Sequence, residues 1–126
     1  MAETTKTKGD SKVSVDELIG VLQALDKDFI GGKKSDIYAL VVHDYFNGTL
    51  MEAEVIKRRG YHYFNELPGG RVVDFKHLVL EAELGTPQCT TRERILASTH
   101  STKTRYDILS RSVNRKLNPA AAVKRP

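Results

Sequence analysis

The sequence predicts an α+β fold in which one central buried helix packs on a short antiparallel β-meander, with further helices on both flanks. Three observations predict it. Ile37–Phe46 is apolar nearly all round, the mark of a helix buried on most sides. Leu50–Lys57 and Tyr61–Glu66 then alternate with period two, as half-buried strands do. Pro68-Gly69-Gly70 supplies a turn ahead of a third short run, Arg71–Phe75. A helix layered on such a sheet buries the apolar face of each.

The elements follow in order. Residues 1–12 are mainly Thr, Lys, Gly, Asp and Ser, cannot offset their ordering entropy, and are expected to form a tail. Ser14-Val-Asp-Glu starts a helix, with a capping hydroxyl and acids in the first turn, and Leu18, Ile19, Val21, Leu22 and Leu25 form its apolar face. Gly31-Gly32 breaks the chain before Ser35-Asp36 opens the central helix, which Asn47-Gly48 stops. In the first strand Met51, Ala53 and Val55 share one face and Glu52 and Glu54 the other. Lys76–Glu83 reads as a short helix or a lid. Thr90 or Thr91 caps a short helix over Arg92–Ala97. The last helix begins at Thr102 or Thr104 and carries the stripe Tyr106, Leu109, Val113 and Leu117, with Arg111 and Arg115 opposite. Asn118-Pro119 ends it. One domain is expected over residues 13–117, followed by a flexible basic tail at 118–126.

Composition narrows the function classes. Hydrophobic residues make up 40% of the 126, enough for a packed core. The single cysteine, Cys89, excludes an intramolecular disulfide and any multi-cysteine zinc site. No metal site and no cofactor are predicted. The first residues lack the apolar core of a secretory signal, and no apolar run reaches the length of a membrane span, so a cytoplasmic, reducing setting without a membrane is expected. From Arg92 onward nine Lys and Arg stand against two acids, a local net of +7 in a chain whose total is +4. Such a segment could meet nucleic acid or an acidic partner, or could simply be a solvated helix face.

Three residues occupy positions where a nucleophile, a base and an orienting carboxylate could stand. Ser35 opens a helix, near unpaired backbone N–H groups and the positive end of the dipole. A cysteine there gains thiolate character, whereas a serine hydroxyl is much harder to ionise and needs an aligned base, so taken alone Ser35 reads as a helix cap. His62 lies within a strand among aromatics, and Asp74 within an apolar run. If their strands pair across the Pro-Gly-Gly turn, both can face the same side and Asp74 can hold the imidazole. Asn65 could do similar work, although its strand parity points it to the opposite face. Lys33, Lys34 and Tyr61 near this cleft, and Arg111 and Arg115 on the last helix, are the candidate binding residues. His43 and Asp44 read as a hydrogen-bonded or exposed pair, and Cys89 as a spectator thiol. Gly31–Ser35 lacks the spacing of a phosphate loop.

The blocks Ala39-Leu-Val-Val-His-Asp-Tyr-Phe-Asn-Gly48, Tyr61-His-Tyr-Phe-Asn65, Leu67-Pro-Gly-Gly-Arg-Val-Val-Asp74 and Thr104-Arg-Tyr-Asp-Ile-Leu109 give the chain a resemblance to the YunG-like family of small bacterial proteins. That family typically shows Gly-Gln-Cys ahead of the Ala-Leu-Val-Val helix, a Ser-His-Tyr-x-Asn strand and a following Asp. The order implies a papain-like, cysteine-proteinase-like core with a Cys-His-Asp site. Here Lys33-Lys34-Ser35 stands in place of Gly-Gln-Cys, while His62, Asn65 and Asp74 match the later positions. The resemblance therefore implies a non-catalytic relative of a small papain-like hydrolase, acting by binding a protein partner. Two alternatives stay open: an active acyl-transfer enzyme using Ser35, His62 and Asp74, and nucleic-acid binding through the basic C-terminal helix.

Overall fold

The computed structural model describes residues 6–8, 11–26, 35–56, 60–75 and 83–118. Ser14 opens helix α1 (Val15–Asp26) through a reciprocal cap. Its Oγ accepts from the Glu17 N–H at 3.1 Å, and Glu17 Oε1 accepts from the Ser14 N–H at 3.0 Å. Val15, Leu18, Leu22 and Leu25 are buried on one face, as the spacing predicts. Within the expected tail there is instead an antiparallel pair, β1 (Lys6–Lys8) and β2 (Ser11–Val13), in the register Lys6↔Val13. A backbone ladder needs no apolar side chains. The strand β1 lies beside the central helix. The expected 118–126 tail lies almost wholly outside the described residues, as do Lys33, Lys34 and most of the Lys76–Glu83 segment.

Helix α2 (Ser35–Phe46) is the predicted central helix. Ile37 through Val42 are each at most 2% exposed. Its two sides serve two cores. Ile37, Tyr38, Val41, Val42 and Tyr45 pack with Leu18 and Leu22 of α1 and with Leu109 and Val113 further on. Ala39 and Leu40 pack with Leu50, Tyr63 and Ile95. The helix stops where Asn47 and Gly48 take left-handed backbone angles, φ 59° and 85°. At Gly48 a Cβ would lie 2.5 Å from the Glu66 carbonyl oxygen and 2.9 Å from Leu67 Cα, so only glycine fits.

The sheet is antiparallel and has four strands, not the expected three. Its order is β5 (Val72–Val73), β4 (Tyr61–Glu66), β3 (Thr49–Glu54), β6 (Gln88–Cys89). Two-residue β6 pairs Met51↔Cys89 and Glu52↔Gln88, and is too short to show periodicity in sequence. The expected strand Arg71–Phe75 is ladder-paired only at Val72 and Val73. Glu52, set by alternation on the face opposite Met51 and Ala53, is 1% exposed. Both faces of β3 are covered, and Glu52 lies on the face it shares with Tyr63 and Leu50, beneath helix α3 (Arg92–Leu96). The Thr91 hydroxyl caps α3 by accepting from the Arg94 N–H. Helix α4 (Thr102–Leu117) closes the fold, with Leu109 and Val113 fully buried and Arg111 and Arg115 exposed opposite, as the stripe predicts.

Charged clamps hold both ends of α2. At its start Asp36 accepts from Arg105 through two oxygens, at 2.7 and 3.2 Å, and from the Thr102 hydroxyl at 3.1 Å. At its end Arg92 lies 3.0 Å from Asp44, bonds the Leu40 carbonyl and His43 Nδ1, and donates to the Tyr106 hydroxyl. That hydroxyl donates in turn to Asp44 at 2.5 Å. Burial, with the Asp44 bond, pushes the Tyr106 phenol up to about 12.

Asp36→Ala strips a part-buried guanidinium pair and the buried Thr102 bond, and is expected to cost about 2 kcal/mol. Lys103→Ala removes only the exposed Lys103–Asp107 pair one helical turn apart, for less than about 0.5 kcal/mol. Urea denaturation with unchanged m-values checks both.

Candidate functional site

Strand alternation places His62 on the sheet face opposite Tyr63 and Asn65, together with Phe64, whose ring lies 6.1 Å from the imidazole. Asp74 follows Val73, the partner of Asn65, and so falls on the His62 face. His62 Nε2 meets Asp74 Oδ1 at 2.5 Å, with His62 3% exposed. A carboxylate can only accept, so Nε2 carries the proton, and in the neutral ring Nδ1 keeps the lone pair. The predicted base and its orienting carboxylate are thus brought together.

Ser35 is positioned by a different rule. Alternate backbone N–H groups of β4 point toward β5, as the bond from the Leu67 N–H to the Arg71 carbonyl shows just past the strand. Tyr63 shares that parity, but β5 ends at Val73, before it can reach Tyr63. The Ser35 hydroxyl takes the missing place: its Oγ accepts from the Tyr63 N–H at 3.3 Å. Ser35 is the first residue of α2, and its hydroxyl is directed across to the sheet instead of back onto its own helix. Among the described residues the hydrogen bonds of Ser35 and His62 run to Tyr63 and Asp74, not to each other.

Ser35 borders a cleft of about 240 Å³ at the start of α2. Tyr61, Tyr63, Ser98, Thr99 and Arg105 line it with Asp36. The lining is rich in hydroxyls, and its one acid and one base neutralise each other. His62 and Asp74 are not part of it. Tyr61, predicted as a binding residue, is 39% exposed at this cleft. Asn65 faces the helix, where its Nδ2 donates to the Ala39 carbonyl at 3.0 Å, so it braces α2 and does not reach the His62 face. Arg111 and Arg115 lie further along α4 from Arg105, by about 9 and 15 Å of helix rise.

Sequence reasoning missed Arg94, Glu52 and Arg105. Arg94 Nε donates to Glu52 Oε1 at 2.8 Å, while its Cζ sits 5.4 Å from the centroid of the Tyr61 ring at the rim of the cleft. Burial raises the Glu52 carboxyl, but bonds from Arg94 and from Gln88 at 3.3 Å outweigh it and hold the pKa below the ordinary 4.5. The Glu52 bond and charge raise the Arg94 guanidinium. No local pattern signals these residues, because their partners are 36 to 69 residues apart in sequence. Among the described residues no group of three His, Cys, Asp or Glu side chains converges on a metal position, and no helix is long and apolar enough to cross a membrane.

The depressed Glu52 pKa carries a sign. Its contribution to stability is present in full above the unfolded value near 4.5 and is lost as the pH falls through the lower folded value. The stability gap between the wild type and Glu52→Gln is therefore expected to narrow below about pH 4.5. Denaturation midpoints followed from pH 7 to 3 check this.

Residues 26–118 match a family model described as YunG protein. Neither curated proteins nor solved structures give a match. The match spans well over half of the 126 residues and takes in Ser35, the His62–Asp74 pair and both clamps on α2. The chain belongs to the YunG family.

Proposed function

We propose that this chain is a non-catalytic relative of a small papain-like hydrolase and acts by binding a protein partner at the Ser35 cleft, in the cytoplasm. The observation that carries the reading is the pairing of the two polar groups. The His62 bond goes to Asp74 and Ser35 Oγ accepts from the Tyr63 N–H, so among the described residues no hydrogen bond joins Ser35 to His62, which lies outside the cleft that Ser35 borders. A hydroxyl at a helix start gains little from the dipole and needs a base in line to become a nucleophile. The resemblance noted in the sequence implies a cysteine at this position, whose thiolate the same field would favour. With serine in its place, what remains of a papain-like site is a scaffold: a helix start, a buried His–Asp pair and a neutral, hydroxyl-lined cleft. The exposed Cys89 fits a reducing setting.

The rival, an active Ser35–His62–Asp74 enzyme, differs in one readout. Incubation with a fluorophosphonate probe and with a panel of activated esters and peptide amides is expected to give neither labelling nor turnover. Labelling that disappears in both Ser35→Ala and His62→Ala would overturn the non-catalytic reading. Ser35→Ala is instead expected to cost about 1 kcal/mol of stability, by leaving the Tyr63 N–H without its acceptor.

A further inference from the structure

Arg92 does more than pair with Asp44. It is the first residue of α3, and its Nη1 lies 3.1 Å from Nδ1 of His43, in the last turn of α2. A guanidinium can only donate, so Nδ1 is the acceptor and carries no proton, and the neutral ring keeps its proton on Nε2. The titratable and charged groups gathered around this contact, among the described residues, are Asp44 on the same helix, Arg92 on α3 and Tyr106 on α4. Arg92 also donates to the Leu40 carbonyl and the Tyr106 hydroxyl. Of the acceptors that hold Arg92, an imidazole is the one whose ordinary titration falls between pH 5 and 8.

We propose that His43 is a pH-sensitive latch on α3: the neutral imidazole holds Arg92, and its protonation frees Arg92 and loosens the docking of α3 against α2. A proton on Nδ1 sets an N–H against an N–H and brings two positive charges to hydrogen-bond distance, so the contact turns from attraction to repulsion. Asp44 lies between the two cations but is already engaged by Arg92 and by the Tyr106 hydroxyl, which limits what it offers a second positive charge. The element that moves is short. Helix α3 has five residues, is capped by the Thr91 hydroxyl and is anchored in the core by Ile95. Arg92 joins its first turn to α2 through Asp44, Leu40 and His43. Ser98 and Thr99 follow directly and border the cleft. Loosening α3 therefore loosens that wall, whatever the cleft binds. The sign follows from linkage. A native state that needs the neutral ring binds fewer protons than the unfolded chain, whose imidazole titrates near about 6.5. This part of the stability is present above about pH 6.5 and is lost as the pH falls below it.

The test is urea denaturation of the full chain at pH 8, 7, 6 and 5, with His43→Asn beside the wild type. Asn presents an oxygen in place of Nδ1 and does not titrate. Between pH 8 and 5 the wild type is expected to lose about tenfold in its folding equilibrium constant relative to the variant, the worth of one hydrogen bond to a charged group. His62, His77 and His100 are common to both proteins and cancel in the difference. A gap between the two that stays constant over that range overturns the latch. In the wild type labelled with 13C and 15N, the Arg92 and Ser98 amide resonances are expected to shift with the same midpoint as the His43 ring. Amides that stay in place while the ring titrates overturn it as well, and that second measurement needs no variant to fold.

Discussion

The burial of α2 is the constraint on which the rest of the structure depends. A helix with six successive residues out of solvent must be covered on all sides. Helices α1 and α4 cover one side, and the sheet with α3 covers the other. Its polar flanks then need partners inside the protein, because water reaches them poorly. Asp36 and Asp44 stand just outside the apolar run, one at each end. Their partners, Arg105 and Arg92, come from the C-terminal third. The clamps therefore fix where α3 and α4 sit, and the cleft opens between the start of α2, the edge of β4 and the loop joining those two helices.

This geometry changes the meaning of the basic C-terminal segment. Read along the chain, it is an excess of positive charge. In the fold, Arg92, Arg94, Lys103 and Arg105 each meet a carboxylate, on Asp44, Glu52, Asp107 and Asp36. Much of that charge serves to join distant parts of the chain. Among these four, Arg94 combines a buried carboxylate partner with a largely exposed side chain over the Tyr61 ring.

The site was legible in part. The His62–Asp74 pair follows from strand parity and a Pro-Gly-Gly turn, both local properties of sequence. The engagement of Ser35 does not. It depends on β5 ending after two residues, which leaves one N–H of β4 without a strand partner and lets a hydroxyl from another element fill the vacancy. Asn65 shows the same limit from the other side: parity sets its face, but only packing shows that it holds the Ala39 carbonyl. Alternation set the face of Glu52 but not its burial, because the period of a strand identifies its two faces without saying how many are covered.

Local sequence was enough for the four helices, the Ser14 and Thr91 caps, the turn glycines and the antiparallel pairing of β3, β4 and β5. All of these are set by interactions between residues a few positions apart, or by the periods of helix and strand. The two clamps on α2, the fourth strand, the burial of Glu52 and the bond of Ser35 to the Tyr63 N–H came from long-range packing. Those depend on which long-range partner reaches a polar group once water has been excluded from it, and neither period nor propensity encodes that choice.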